Sequence, residues 1–252
     1  MFYIFLFIFG ACIGSFLNVL IDRLPNDESI MGRSHCDYCS HKLNWFDLFP
    51  ILSFFWLKGK CRYCGKKLSP IYPLIEVLTA IAFVLTWIFA PADNILVKYG
   101  YLGVISSLIV VFFSDLKYQI IPDSIQIAFF VSSLIVAGNA IDVTIFAKKA
   151  AAALIIMAPI YFLHAVTKGK GMGFGDVKLA FTIGFLLGIK GGIAALYIGF
   201  ILGAAVGLIL LGFKKKGLRS KIPFGPFLVL GVLIVLFFQS PLFALIKRIY
   251  GI

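Results

Sequence analysis

Charge is scarce in this chain. Only 13% of its residues are Asp, Glu, Lys or Arg, against 61% hydrophobic and 16% aromatic residues. That leaves too little polar surface to cover a water-soluble globule, and a mean hydropathy of +1.02 places the chain in a bilayer. Histidine is scarcer still. His35, His41 and His164 are the three present, and His164 stands at the far end of an apolar run, so no Ser/His/Asp set is in prospect. The Gly-rich strand–turn–helix of soluble methyltransferases is missing, and no internal repeat or low-complexity segment is evident.

Apolar runs long enough to cross about 30 Å of hydrocarbon recur instead. They fall roughly at 1–21, 71–90, 99–114, 124–140, 147–166, 177–189, 193–213 and 222–246. The expected fold is an all-α polytopic membrane protein of about eight transmembrane helices. Its parts are a first helix at 1–21, a polar loop at 22–70, and a core of about seven helices at 71–252. The first run has no basic residue before it and no small-x-small site after it, so it is expected to be a retained anchor and not a cleaved signal.

The net charge of +12 raises the question of nucleic acid. The positive-inside rule accounts for it instead. With the amino terminus outside, the loops 22–70, 115–123, 167–178 and 214–221 are cytoplasmic, and they hold Arg23, Arg33, Lys58, Lys60, Lys66, Lys67 and the Lys214–Lys216 run. The opposite loops hold scattered bases such as Lys98, Lys148 and Lys149. The partner expected is the lipid bilayer, with no nucleic acid.

Four of the five cysteines form Cys36-x-x-Cys39 and Cys61-x-x-Cys64 inside the long loop. In a reducing compartment such pairs are metal sites rather than disulfides. Two pairs close a four-thiolate tetrahedron suited to structural Zn2+, with no open position for hydrolysis. The alternatives are free thiols, or His35 or His41 in place of one cysteine. Cys12, alone on an apolar helix, is expected to be a small packing residue.

Acidic residues at the ends of membrane spans are costly and usually functional. Asp115 follows the third run, Asp176 precedes the sixth, and Glu76 lies within the second. Two carboxylates converging at one depth can share a proton, the arrangement that lets aspartic proteases activate water and protonate the leaving amine. Competing with that, an Asp after a Gly-rich turn is a good helix N-cap. For Asp123, after Pro122, the capping role is preferred; for Asp176 the pairing with Asp115 favours catalysis. Glu76 is a buried polar partner or part of a second site. Helix ends suggest Asp176, opening a helix, as the ionised base, and Asp115, following one, as the protonated acid. Gly171, Gly173 and Gly175 read equally as a local unwinding that admits the scissile peptide or as a flexible turn.

A series of motifs in order carries a resemblance. It runs from Gly14-Ser-Phe-Leu-Asn-Val and Arg23-Leu-Pro25 through both cysteine pairs and Tyr72-Pro-x-x-Glu76. It continues to Asp115-x6-Pro122-Asp123, Gly173-Phe-Gly-Asp176-x-Lys178 and Ile222-Pro-Phe-Gly-Pro226. Over nearly its whole length the chain resembles the prepilin peptidases, the type 4 leader peptidases among GxGD membrane aspartic proteases. The resemblance implies that Asp115 and Asp176 are the catalytic pair and that type 4 prepilins and pseudopilins are cut after a glycine at the cytoplasmic face of the bacterial inner membrane. It also implies that the new amino terminus is then methylated with S-adenosylmethionine; that site is unlocated, and the zinc loop and its membrane roots, including Glu76, are the candidates for it. Asp22, Asp27, Glu28, Asp37 and Asp47 are candidates to receive a basic leader. Two other classes compete. A proton- or ion-coupled transporter predicts carboxylates near the midplane and inverted repeats, and neither is present. A membrane-tethered zinc-ribbon module leaves seven spans and both aspartates without a role.

Overall fold

The computed structural model describes residues 1–92, 94–138, 143–212 and 223–250, with the side chains of 211 and 239–250 left out of the description. The Lys214–Lys216 run, the loop 214–221, and the outer edges of the expected spans at 139–140, 213 and 222 lie outside those residues.

In hydrocarbon every backbone N–H and C=O must find a partner within the protein, and a helix satisfies them locally. The described secondary structure is accordingly helical: α1 (Phe2–Arg23), the short α2 (Leu52–Trp56), α3 (Ile71–Phe89), α4 (Ile95–Tyr118), α5 (Asp123–Ala137), α6 (Val143–Val166), α7 (Phe174–Gly212) and α8 (Gly225–Tyr250). Five of these segments are long and apolar enough to cross a membrane, while α5 and the described apolar part of α8 are shorter. The chain is an all-α, multi-pass membrane protein.

Two expected runs, 177–189 and 193–213, are joined in α7. Its 39 residues would reach about 58 Å as a straight helix, twice the hydrocarbon thickness. The helix does not stay straight. Gly188 takes φ 71° and ψ −176°, a conformation open to glycine. Gly184 and Gly192 then face each other, a Cβ on Gly192 falling 3.5 Å from the Gly184 Cα, where eight residues of straight helix span about 12 Å. The break frees carbonyls, and Lys149 Nζ reaches back from α6 to those of Phe185 and Leu186 at 3.4 and 3.3 Å.

α4 is the hub, touching α1, α3, α5 and α8, while α7 packs between α6 and α8 and against α5. The polar Ser114 and Asp115 are buried at the end of this helix, below a fully apolar stripe of Val104, Leu108 and Val111. α1 and α3 approach closely at small residues. A Cβ on Gly10 would lie 2.8 Å from the Ala80 Cα, and one on Gly14 would lie 2.7 Å from the Glu76 Cα. Cys12 departs from expectation: it is exposed on the outer side of α1 and packs no core.

The loop between α1 and α3 does contain a repeat, contrary to expectation. Cys36-Asp-Tyr-Cys-Ser-His-Lys-Leu43 and Cys61-Arg-Tyr-Cys-Gly-Lys-Lys-Leu68 match at five of eight positions. Both fold alike. The Cys36 N–H donates to the His41 carbonyl and the Ser40 N–H to the Cys36 carbonyl, as the Cys61 N–H does to Lys66 and the Gly65 N–H to Cys61. Ser40 and Gly65, four residues after the first cysteine of each unit, both take positive φ.

Candidate active site

Asp115 lies inside the last turn of α4 and does not follow it, because the helix continues to Tyr118. Gln119 then adopts the left-handed conformation, and its N–H bonds the Asp115 carbonyl at 2.9 Å. Ser114 Oγ donates to the Ile120 carbonyl at 2.7 Å. These bonds make a tight turn from α4 into α5 and leave the Asp115 carboxyl aimed inward. Its Oδ2 accepts the N–H of Gly225, the first residue of α8, at 2.9 Å.

Asp176 sits in the first turn of α7, and its Oδ2 accepts the Gly173 N–H at 3.2 Å. That is half of a capping box, in which a side chain at the third helical position reaches back to the residue before the helix. The cap takes one oxygen only. Oδ1 is buried without a hydrogen-bond partner among the described residues, and the Asp115 charge lies within electrostatic reach of Asp176. Ile121 fixes the two helix openings side by side. A Cβ on Gly175 would stand 3.3 Å from Ile121 Cβ, and one on Gly225 would stand 3.3 Å from Ile121 Cδ1.

Both carboxyl groups therefore accept from an N–H at a helix start, where anions are stabilised. Asp115 does stand at the carboxyl end of its own helix and Asp176 at the amino end of its own, but the Asp115 carboxyl faces the opening of α8, which offsets the difference expected to separate base from acid. The glycine reading changes too, since Gly175 is helical and the positive φ values in this turn belong to Lys168 and Gly169. Asp123 is the first residue of α5, behind Pro122 as its cap. Its side chain does not cap; Oδ1 accepts from Lys178 Nζ at 2.6 Å, tying α5 to α7 two residues beyond Asp176.

Two residues at this site escaped the sequence reading. Gln126 Nε2 donates to the Gly175 carbonyl at 2.9 Å, while its Oε1 is buried and unpartnered among the described residues. A polar amide one turn into an apolar helix was the available signal. His164 bonds the Met172 carbonyl through Nδ1 at 2.8 Å and so holds the Gly-rich turn from α6.

The four cysteines converge as their spacing predicts. The Sγ atoms of Cys36, Cys39, Cys61 and Cys64 all lie within 4.8 Å of one another, with no histidine in the group. Cys36 Sγ and Cys64 Sγ are 3.9 Å apart, close to the edge of about 3.8 Å that a tetrahedron of 2.3 Å zinc–sulfur bonds requires. The cluster is able to hold a metal ion. Burial pushes the Cys61 thiol up, yet the backbone of Cys64 and Tyr63 and the neighbouring thiols outweigh it and bring Cys61 down to about 7. The Glu76 carboxyl, at the root of this loop, accepts the Ile51 N–H through Oε2 at 2.7 Å.

Comparison with known proteins follows the same division. Residues 8–90 match the bacterial peptidase A24 N-terminal domain, and residues 102–208 match the type IV leader peptidase family. A protein of Bacillus subtilis named prepilin leader peptidase/N-methyltransferase is 35% identical over 98% of this chain and 98% of its own length. Proteins of the same name from Xanthomonas campestris and Aeromonas hydrophila are 31% and 30% identical, over 92% and 89% of this chain and 90% and 86% of their own. No solved structure matches. With relatives of this identity aligned along almost its whole length, the chain belongs to the type IV leader peptidase family.

Proposed function

We propose that this chain is a membrane aspartic endopeptidase that cuts the leader from type 4 prepilins and pseudopilins after a glycine, with Asp115 and Asp176 as its catalytic pair. The observation that carries this reading is that two buried carboxyl groups are held at helix openings packed on Ile121 and within electrostatic reach of each other, one of them with an oxygen left without a partner among the described residues. One carboxylate takes a proton from water as the oxygen attacks the scissile carbonyl. The other, protonated, donates to that carbonyl oxygen. Collapse of the tetrahedral adduct breaks the C–N bond: the proton held by the first carboxyl passes to the leaving amine, and a hydroxyl of the adduct returns its proton to the second carboxylate as the carbonyl re-forms, restoring the pair. Gly225 and Gly173 hold the two side chains through backbone N–H groups, and Gln126 holds the Gly175 carbonyl of the helix opening.

The name shared by the relatives includes an N-methyltransferase activity, and on this reading its acceptor is the new amino terminus. S-adenosylmethionine supplies the methyl group in that step. Zn2+ is the metal best matched by four thiolates at this spacing, and it acts as a scaffold because all four positions are filled by protein. We assign the enzyme to the bacterial inner membrane with the amino terminus outside and both the zinc loop and the carboxyl pair on the cytoplasmic side. The bend at Gly188 supports eight crossings by turning α7 into two arms. On this reading 22–70 is a metal-folded insert between the helix at 1–21 and a core at 71–252.

Reconstitution with a prepilin substrate tests the assignment. Asp115→Asn and Asp176→Asn should each abolish cleavage while leaving the chain helical and metal-bound. Full cleavage by either variant would overturn it.

A further inference from the structure

Between the zinc knuckles and the neighbouring ends of α1 and α3 lies a cavity of about 400 Å3, within the range of small-molecule sites. Its walls concentrate negative charge. Asp22, Glu28, Asp37, Asp47 and Glu76 line it against Arg23 and Arg62, so five of the eleven acidic residues of a chain with net charge +12 surround one space. Such a lining favours a cationic occupant.

Two features besides the charge point to a ligand. Asn18 lines the cavity, is 8% exposed, and donates through Nδ2 to the Tyr72 carbonyl, yet its Oδ1 is buried with no partner among the described residues. A buried acceptor left open costs about 1–3 kcal/mol, and a donor on a ligand would recover it. The second feature is strain. Ile51 takes φ 63° and ψ −53° inside a three-residue turn closed by the Leu52 N–H on the Pro50 carbonyl. That conformation is rare and is an outlier for a β-branched residue. It is held by Glu76, which accepts the Ile51 N–H. Backbone strain of this kind persists where the surroundings over-determine it, commonly at ligand sites. Phe16, Phe54 and Tyr72 add aromatic surface to the same walls.

A small cation carrying a flat ring fits charge, size and surface together. We propose that this cavity is the binding site of the methyl donor, S-adenosylmethionine, with Glu76 and the loop carboxylates facing its positive charge and Asn18 Oδ1 accepting one of its N–H groups. The proposal rests on the methyltransferase half of the proposed function. It also explains how two activities share one chain. Asp22, in the cavity wall, accepts from Lys117 Nζ at 2.6 Å and Tyr118 OH at 3.3 Å, in the turn of α4 that carries Asp115, so the donor site and the carboxyl pair are built on the same helix end.

The test is binding of labelled S-adenosylmethionine to the purified, zinc-loaded full chain, compared with Glu76→Gln and with Ser53→Trp, which narrows the cavity from its loop wall. Both variants should bind about tenfold or more weakly with zinc content unchanged. Hydrogen exchange on the wild type provides a readout that needs no variant: the donor should slow exchange over 47–57 and 71–76 and leave 115–126 unaltered. Unchanged affinity in both metal-bound variants, or protection confined elsewhere, overturns the site. A wild type that methylates but shows protection elsewhere keeps the functional reading and loses the cavity. One that cleaves yet neither binds the donor nor methylates removes the methyltransferase reading and the site with it.

Discussion

The backbone N–H of Gly225 meets the Asp115 carboxyl across 2.9 Å, joining groups 110 residues apart in sequence. A side chain at Gly225 has no room: a Cβ there would stand 2.8 Å from Asp115 Oδ2 and 3.2 Å from its Cγ. Gly225→Ala must therefore displace the carboxyl or tilt the start of α8. A misplacement of about 1 Å at a reacting group costs on the order of a hundredfold in rate. The expected result is a fall of that size in kcat for prepilin cleavage, with KM less affected and helicity retained. Wild-type kcat would show that this contact does not position Asp115.

The approach of α1 to α3 gives a second prediction, on stability. Gly14→Ala would set a methyl 2.7 Å from the Glu76 Cα, which is backbone and cannot rotate away. In membranes, where lipid tails are as apolar as any side chain, close backbone approach at small residues is a main source of helix association. Forcing a methyl into it costs about 1–3 kcal/mol, read as a lower midpoint of unfolding in detergent. Cys12→Ala, on the exposed side of the same helix, should leave the midpoint where it is.

Much of this was legible in the sequence because the chemistry is local. Hydropathy located the helices, and the two Cys-x-x-Cys pairs announced a cluster whose members are close in sequence within each pair. The carboxyl pair was legible as two isolated acids at span ends. What was hidden depends on contacts across long sequence separations. The role of Gly225 needs α8 packed on α4, and Lys178 reaching Asp123 needs α5 beside α7. The helix-end distinction between the two aspartates was legible, but the α8 opening that the Asp115 carboxyl faces, and that offsets the distinction, was not. The runs expected at 177–189 and 193–213 both fall in the bent α7, but the cause of the bend, a single positive φ at Gly188, cannot be separated by sequence from any other glycine in a Gly-rich helix.

The thiol cluster predicts a pH dependence of metal binding. Cys61 is brought down to about 7, while Cys39, hydrogen-bonded to the same thiols, is pushed up to about 11; thiolate is the form that ligates, so the metal must displace protons from this cluster, and one more of them once Cys61 is protonated. Above pH 7 Cys61 is mostly thiolate and ready to bind; as pH falls through 7 it takes a proton that the metal must displace. Apparent zinc affinity should therefore decline steadily from pH 8 to pH 6, measured by competition with a chelator. Cys61→Ser should weaken binding and flatten that dependence. An affinity constant across the range would contradict the cluster as described.

Between the knuckles, the loop turns a row of large apolar side chains outward. Trp45, Phe46, Phe49, Phe55 and Trp56 are all exposed, Trp56 to 86%, and Lys58 and Lys60 follow directly. Aromatic rings beside lysines are the composition of a segment lying in the headgroup region of a bilayer, with the rings at the boundary and the ammonium groups toward phosphates. A water-facing position would leave this apolar area hydrated at a cost of about 25 cal/mol for each Å2. The expected outcome is that a chain keeping Trp56 alone, through Trp45→Phe and Trp87→Phe, fluoresces to the blue in vesicles and is quenched by lipids brominated near the headgroup more than by lipids brominated near the chain end. Emission typical of water and no quenching would place the row against solvent or another protein. Quenching strongest at the chain end would place it deeper than a headgroup segment, and either result would sink the interfacial position.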